Sequence, residues 1–465
     1  MLIRGAEIGG LAGLDLRTEG ERIAEIGAGL APRRGEDAID ARGGALLPGL
    51  WDHHLHLLAL AAAEDSIRCG PPRVRDATDL ERALDRPGGG WLRGVGYCEA
   101  VAGRLDRRRL DALGPARPLR IQHRSGGAWV LNSRALAELG LERGPGPDGV
   151  ERDAGGHPTG VLYGLDTWLR ERLPPAPAPD LARVGRRLAR CGVTGATDAT
   201  PGNAAAELAI LEDASRKGDL PQSLHLMGGP DLPEPRAPGV SRGPLKLVLR
   251  ERALPDLDEL VGRVAAAHAA GRAAAIHCVT RAEVLLATAV FEAAGPRPGD
   301  RLEHASVAPP PALARVAALG LSVVTQPGFL HERGDDYVRD VEPRDRPWLY
   351  RGQGFLAAGV PLGAGSDAPF GEPDPWLAMR AAVRRESAGG RVLGPHERLS
   401  PEQALALFTA PADAPGAEPR RLRVGALADL CLLERPWREA RRRLCRGDVV
   451  ATVARGRLLW RAPAW

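Results

Sequence analysis

The chain has 465 residues, 44% of them hydrophobic, and its 63 Lys and Arg against 59 Asp and Glu leave a formal charge of +4. That is enough apolar material for one large domain with attachments or for two or three small ones. The charge is nearly balanced and no basic tract is interleaved with aromatics, so nucleic acid is excluded as an expected partner. Residues 55–63 form the longest apolar stretch, about half of the roughly 20 residues a membrane helix needs. Arg4 and Glu7 fall where a signal peptide would be apolar. No membrane partner is expected, and the expected location is cytoplasmic. Six scattered cysteines without a CxxC motif fit a reducing compartment.

In chain order, residues 1–47 read as short β segments between Gly-rich turns: MLIRGAEI, RIAEIGAG and DAIDARGGALLPG. Residues 411–465 have the same character in VGALADLCLLE and DVVATVARGRLLW. The two ends are expected to build one β-sandwich domain. The middle, 48–410, contains eight apolar strands at 47–56, 193–200, 222–229, 244–250, 273–279, 301–306, 321–327 and 360–368. Helical segments such as LDELVGRVAAAHAAG fill most of the gaps. Eight strands, each followed by a helix, is the arithmetic of a distorted (β/α)8 TIM barrel. No Gly-rich phosphate turn follows the first strand, which argues against a doubly wound sheet. The gap after that strand is too long for one crossover, so an inserted subdomain is expected at about 65–185, closed by the Pro-rich ERLPPAPAPD at 171–180. The segment GPDLPEPRAPGVSRGP, 229–244, reads as a loop after the third strand.

His54 and His56 form an HxH pair at the end of the first strand, and a strand's period of two puts both imidazoles on one face. Two neutral imidazoles converging there suit zinc or a similar borderline metal. Lys246 lies within the fourth strand, His277 and His304 near the ends of the fifth and sixth, and Asp367 near the end of the eighth. Barrel strand ends converge on the face where catalytic groups sit. Singly, a His in AAIHCV is an ordinary core residue and an Asp in GSDAP an ordinary turn former. Jointly, they point to a metal site.

Lys occurs only twice, at Lys217 in a polar turn and at Lys246 in the apolar PLKLVL. A buried amine loses its proton readily, which Arg does not. A neutral amine can capture carbon dioxide as a carbamate whose two oxygens bridge two metal ions. The bland alternative is a snorkelling Lys paired with an acid. Cys278 beside His277 faces the opposite way on its strand and reads as core.

The ordered set PGLWDHHLH, PLKLVL, AIHCV, RLEHAS and GSDAP resembles the metal-dependent amidohydrolase superfamily. The long insertion, WVLNSRAL, GHPTGVL, VTQPG and VGALADL resemble in particular its branch containing N-substituted formamide deformylase and YtcJ-like proteins. The resemblance implies His54, His56, Lys246, His277, His304 and Asp367 as ligands of one or two divalent ions, zinc first. It implies a carboxylated Lys246, and Asp367 as proton shuttle. The expected activity is hydrolysis of an amide or related non-peptide C–N bond in a small molecule. Deamination or ester or lactone hydrolysis at the same site is the alternative, and a non-catalytic scaffold a more distant one. The family's acidic-Gly pair after the fourth-strand Lys is absent, and Gly126-Gly127 fills a slot where a His is usual. Substrate contacts are expected from His123, Trp129, Gln326 and His331; Arg351 reads equally as a carboxylate binder or a salt bridge. A homodimer is the expected oligomer by base rate.

Overall fold

The computed structural model describes residues 1–144, 146–174, 178–463 and 465. The chain divides into two compact units: Met1–Leu57 with Leu181–Trp465, and Leu58–Asp180. The proline-rich stretch expected to close the insertion includes 175–177, which lie outside the described residues.

The larger unit contains eight parallel strands in chain order: Leu50–Leu55, Val193–Asp198, Ser223–Gly228, Val240–Val248, Ala274–Cys278, Arg301–His304, Ser322–Thr325 and Leu362–Ala364. They form a nearly closed barrel. The first and eighth strands meet at their C-terminal ends, where Asp367 N–H donates to His54 O at 2.7 Å and His56 N–H to Ala368 O at 2.8 Å. Lower down, the segment after the helix Pro401–Ala406 fills the seam: Ala364 N–H bonds Leu407 O and Trp51 N–H bonds Phe408 O. The first strand is buried along its whole length, as a parallel strand covered on both faces must be.

Local signals explain the outer helices. Arg281–Ala294 begins with a Thr280/Glu283 capping box and ends at Gly295 with φ +76°. Leu257–Ala269 is capped by the Asp256 carboxylate, which accepts the Asp258 and Glu259 N–H groups. The third strand is followed by a loop, as the segment after it reads in the sequence. One detail differs: the fourth strand begins at Val240, so VSRG is strand where a loop was expected.

Both termini contribute to one mixed eight-stranded sheet. Leu430–Leu433 pairs with Ala45–Pro48 and thereby joins the C-terminal strands to the N-terminal ones. Its apolar face carries Ile3, Leu16, Ile23, Leu430, Leu432 and Val453. The strand Leu11–Glu19 follows a Gly9-Gly10 turn in which both φ are positive, the conformation a tight hairpin needs.

The smaller unit is a six-stranded sheet with an apolar cluster on each face. Leu119, Ile121, Val130 and Val161 pack on one side with Leu80, Leu84 and Leu110. Trp129, Leu131 and Leu162 pack on the other with Leu136 and Leu169.

Candidate metal centre

Strand alternation puts Asp52, His54 and His56 on one face of the first barrel strand. Asp52 Oδ1 accepts the N–H groups of His54 at 3.1 Å and Ser366 at 3.0 Å, which ties that strand to the end of the eighth. Gly365 can carry no side chain there, because its Cβ would stand 2.4 Å from His54 N. Asp367 Oδ1 consequently lies 3.2 Å from His56 Nε2 and 3.5 Å from His54 Nε2. The ligand atoms of these three residues all lie within 4.8 Å of one another. Asp367 and His304 hold left-handed backbone, φ +54° and +69°, at about 1–3 kcal/mol each for a non-glycine residue.

Three of the imidazoles are oriented through their outer nitrogens. His54 Nδ1 is hydrogen-bonded to Glu303 Oε2, His56 Nδ1 to Thr200 Oγ1 at 2.9 Å, and His304 Nδ1 to Gln326 Oε1 at 2.7 Å. A donor proton on Nδ1 leaves the Nε2 lone pair as the ligand. His304 Nε2 is buried with no hydrogen-bond partner. The His54 and His304 ring centroids are 4.7 Å apart, and those of His277 and His304 4.5 Å. Burial pushes His54 down to about 3 and holds His277 and His304 below the usual histidine range, so these rings are neutral.

Lys246 is almost fully buried, and its Nζ has no hydrogen-bond partner. Glu303 Oε2 stands 4.0 Å from it. Burial draws the amine down to about 8, so a minor neutral fraction exists near neutral pH. Burial works against the charge on Asp367, but the hydrogen bond with His56 holds it below the ordinary carboxylate range. The donor set of neutral imidazoles, an ionised carboxylate and two orphaned buried nitrogens fits a divalent ion of the zinc type.

The remaining candidates lie in varied settings. Gln326 is buried with its amide oxygen on His304. His331 Nδ1 donates to Glu386 O at 3.2 Å. Arg351 pairs with buried Glu397 at 2.7 Å. Within the insertion, His123 is held by Ser125 and Glu99, and Trp129 belongs to the unit's own core, its indole N–H on Asp166. Cys278 is core, and burial pushes its thiol up.

Sequence patterning does not single out Glu303. It is wholly buried, and it joins His54 to Arg301, whose Nε donates to Oε1 at 2.6 Å. Its adjacency to His304 at a strand end was the available signal. Thr200 lies at the end of the second strand and gave no signal of its own.

A model of the Amidohydrolase family matches residues 37–459. The chain belongs to the amidohydrolase family. This amidohydrolase is 27% identical over 492 aligned positions to N-substituted formamide deformylase of Arthrobacter pascens, covering 90% of this chain and 89% of that one. It is 26% identical over 432 positions to the putative amidohydrolase YtcJ of Bacillus subtilis (strain 168), covering 80% of each. Among solved structures, an uncharacterized metal-dependent hydrolase from Pyrococcus horikoshii OT3 shares the amidohydrolase fold, with TM-score 0.71 and 21% identity over 93% of this chain and 96% of that one. Among the described residues, no helix of the amidohydrolase is long and apolar enough to cross a membrane.

Proposed function

We propose that the protein hydrolyses an amide or related non-peptide C–N bond of a small molecule, with one or two divalent ions, zinc first, held by His54, His56, Lys246, His277, His304 and Asp367. The observation that carries this reading is the placement of Asp367 Oδ1 between two imidazole Nε2 atoms whose outer nitrogens are already fixed. A bound ion would supply Lewis acidity, making water a better nucleophile and the carbonyl a better electrophile.

The chain's own groups do the proton work. Asp367, ionised at neutral pH, accepts the proton of the attacking water. The water oxygen adds to the carbonyl carbon. Asp367 then gives the proton to the departing nitrogen as the C–N bond breaks. Glu303, Thr200 and Gln326 keep three imidazoles in the tautomer this arrangement needs. The neutral fraction that burial gives Lys246, against the pull of Glu303 at 4.0 Å, supports a carbamate that would add an anionic ligand. The 27% identity to a formamide deformylase supports amides over other substrates.

Elemental analysis of the purified protein beside Lys246→Ala tests the site. Zinc, manganese or iron at about one or two equivalents, reduced in the variant, is expected. No bound metal after growth with added zinc and bicarbonate would overturn it. A panel of N-formyl and N-acyl amines, nucleobase-like amines, esters and lactones, read for amine, ammonia and acid separately, tests the reaction. Release of amine with acid is expected. Ammonia from ring amines, or acid from esters alone, would replace the amide reading with one of the alternatives.

A further inference from the structure

The inserted unit holds two guanidinium groups side by side, and neither is ion-paired to a carboxylate among the described residues. Arg93 and Arg120 are register partners on the adjacent parallel strands Leu92–Tyr97 and Leu119–His123. Strand alternation puts both on the face that carries Trp129 and Leu131. Arg120 Cζ stands 4.7 Å and Arg93 Cζ 5.6 Å from the Trp129 ring centroid. Trp129 is itself fixed by its indole N–H, which donates to Asp166 Oδ1 at 2.8 Å. Arg93 donates once, to Ser66 Oγ at 3.0 Å. Arg120 donates to no protein atom among the described residues.

Both side chains are half-buried. Burial pulls each guanidinium down to about 10; the Asp166 carboxylate, already engaged by the Trp129 indole, raises both in part, while Arg68 lowers Arg93 and Arg93 lowers Arg120. A partly desolvated cation gains its stability from an opposite charge or from hydrogen-bond acceptors. Stacking on one indole answers part of that need, worth about 0.5–2 kcal/mol per cation in general. It satisfies none of the N–H donors. Two planar forks, held in register by a sheet and flanked by one buried ring, are the geometry that takes an oxyanion bidentately.

We propose that Arg93 and Arg120 form a binding site for the oxyanion group of a small molecule, a carboxylate or a phosphate, on the Trp129 face of the insertion. The anion bridges the two guanidiniums and removes their mutual repulsion, while Trp129 sets their spacing. The site stands on the insertion's own residues, whatever reaction the barrel performs.

The test uses the full-length protein, with thermal unfolding and calorimetric titration against sodium acetate, sodium malonate and inorganic phosphate, each compared with chloride at equal ionic strength. Acetate or malonate binding identifies a carboxylate site, and phosphate binding a phosphate site. Either is expected to raise the unfolding temperature of the wild type. Arg120→Gln and Arg93→Gln should each lose at least about tenfold in anion affinity, the loss expected when one charge-assisted fork is removed. In chloride alone, Arg120→Gln should unfold at the wild-type temperature or above it, since a repulsion has been removed. A purely structural role for the stack predicts the reverse, a lower unfolding temperature with no anion dependence in either protein. Arg120→Lys keeps charge and fold but not the fork, and should bind less tightly than wild type. The proposal is overturned if none of the three anions outperforms chloride on the wild type, or if Arg120→Gln and Arg120→Lys bind as the wild type does.

Discussion

Gln326→Leu tests whether the outer hydrogen bonds set the metal affinity. Gln326 Oε1 accepts from His304 Nδ1 at 2.7 Å, and the residue is 1% exposed, so water cannot replace the lost acceptor. Leucine fills nearly the same volume, which leaves packing largely intact. The buried imidazole N–H then has no partner, at about 1–3 kcal/mol. His304 escapes that penalty by turning over or changing tautomer, and either move withdraws the Nε2 lone pair. Loss of such an outer partner generally weakens metal binding 10–100-fold, or about 1.4–2.7 kcal/mol. Competition of apoprotein with a calibrated chelator measures it directly. Gln326→Glu keeps an acceptor at the same place and should retain affinity. A Gln326→Leu protein that binds metal like the wild type while its KM rises would refute the orienting role and make Gln326 a substrate contact.

Asp367→Asn should lower kcat by about 10²–10⁴-fold, as removal of a positioned proton carrier does, with the far-UV spectrum unchanged; near-wild-type turnover would remove Asp367 from the mechanism. Arg385, 1% exposed, donates to the carbonyls of Leu393, Tyr350 and Leu349, each at 2.7 Å. Arg385→Met strands all three and should cost about 3 kcal/mol or more in urea unfolding; a loss below 1 kcal/mol would contradict this. Glu36 accepts from Arg17 Nε at 2.8 Å and from Arg33 N at 3.0 Å, and the Arg17 bond holds its carboxyl down to about 2 from an ordinary 4.5. A folded-state pKa lowered in this way gives stability that is full above about 4.5 and lost as the pH falls through about 2. Glu36→Gln should therefore reduce the urea midpoint at neutral pH and flatten its fall across that acid window; parallel wild-type and variant curves would exclude the pair as a source of acid sensitivity.

The sequence made the strand-end residues readable because strand period, His scarcity and barrel order all act on short windows. His54 and His56 follow from a two-residue spacing, and Lys246 stands out because nearly every other cation is Arg. Glu303 is different in kind: its value lies in meeting His54, 249 positions away, and no local pattern encodes that pairing. Gln326 was visible as a polar residue after the seventh strand, but its aim toward His304 depends on how neighbouring strands are staggered. The start of the fourth strand was hidden by Gly243 and Pro244, residues that usually break strands. Gly243 is required there because a Cβ would stand 2.9 Å from His225 Nε2. The Leu11–Glu19 strand was legible in principle from its Gly9-Gly10 turn.

The joint between the first and last barrel strands has a consequence for biosynthesis. His56 and Asp367 face each other at 3.2 Å but lie 311 positions apart. At about 5–20 residues per second, a ribosome would deliver the HxH pair roughly 15–60 s before the aspartate that completes it. The histidines therefore wait on an unfinished chain, and the three-residue cluster is complete only once the last barrel strand has been made.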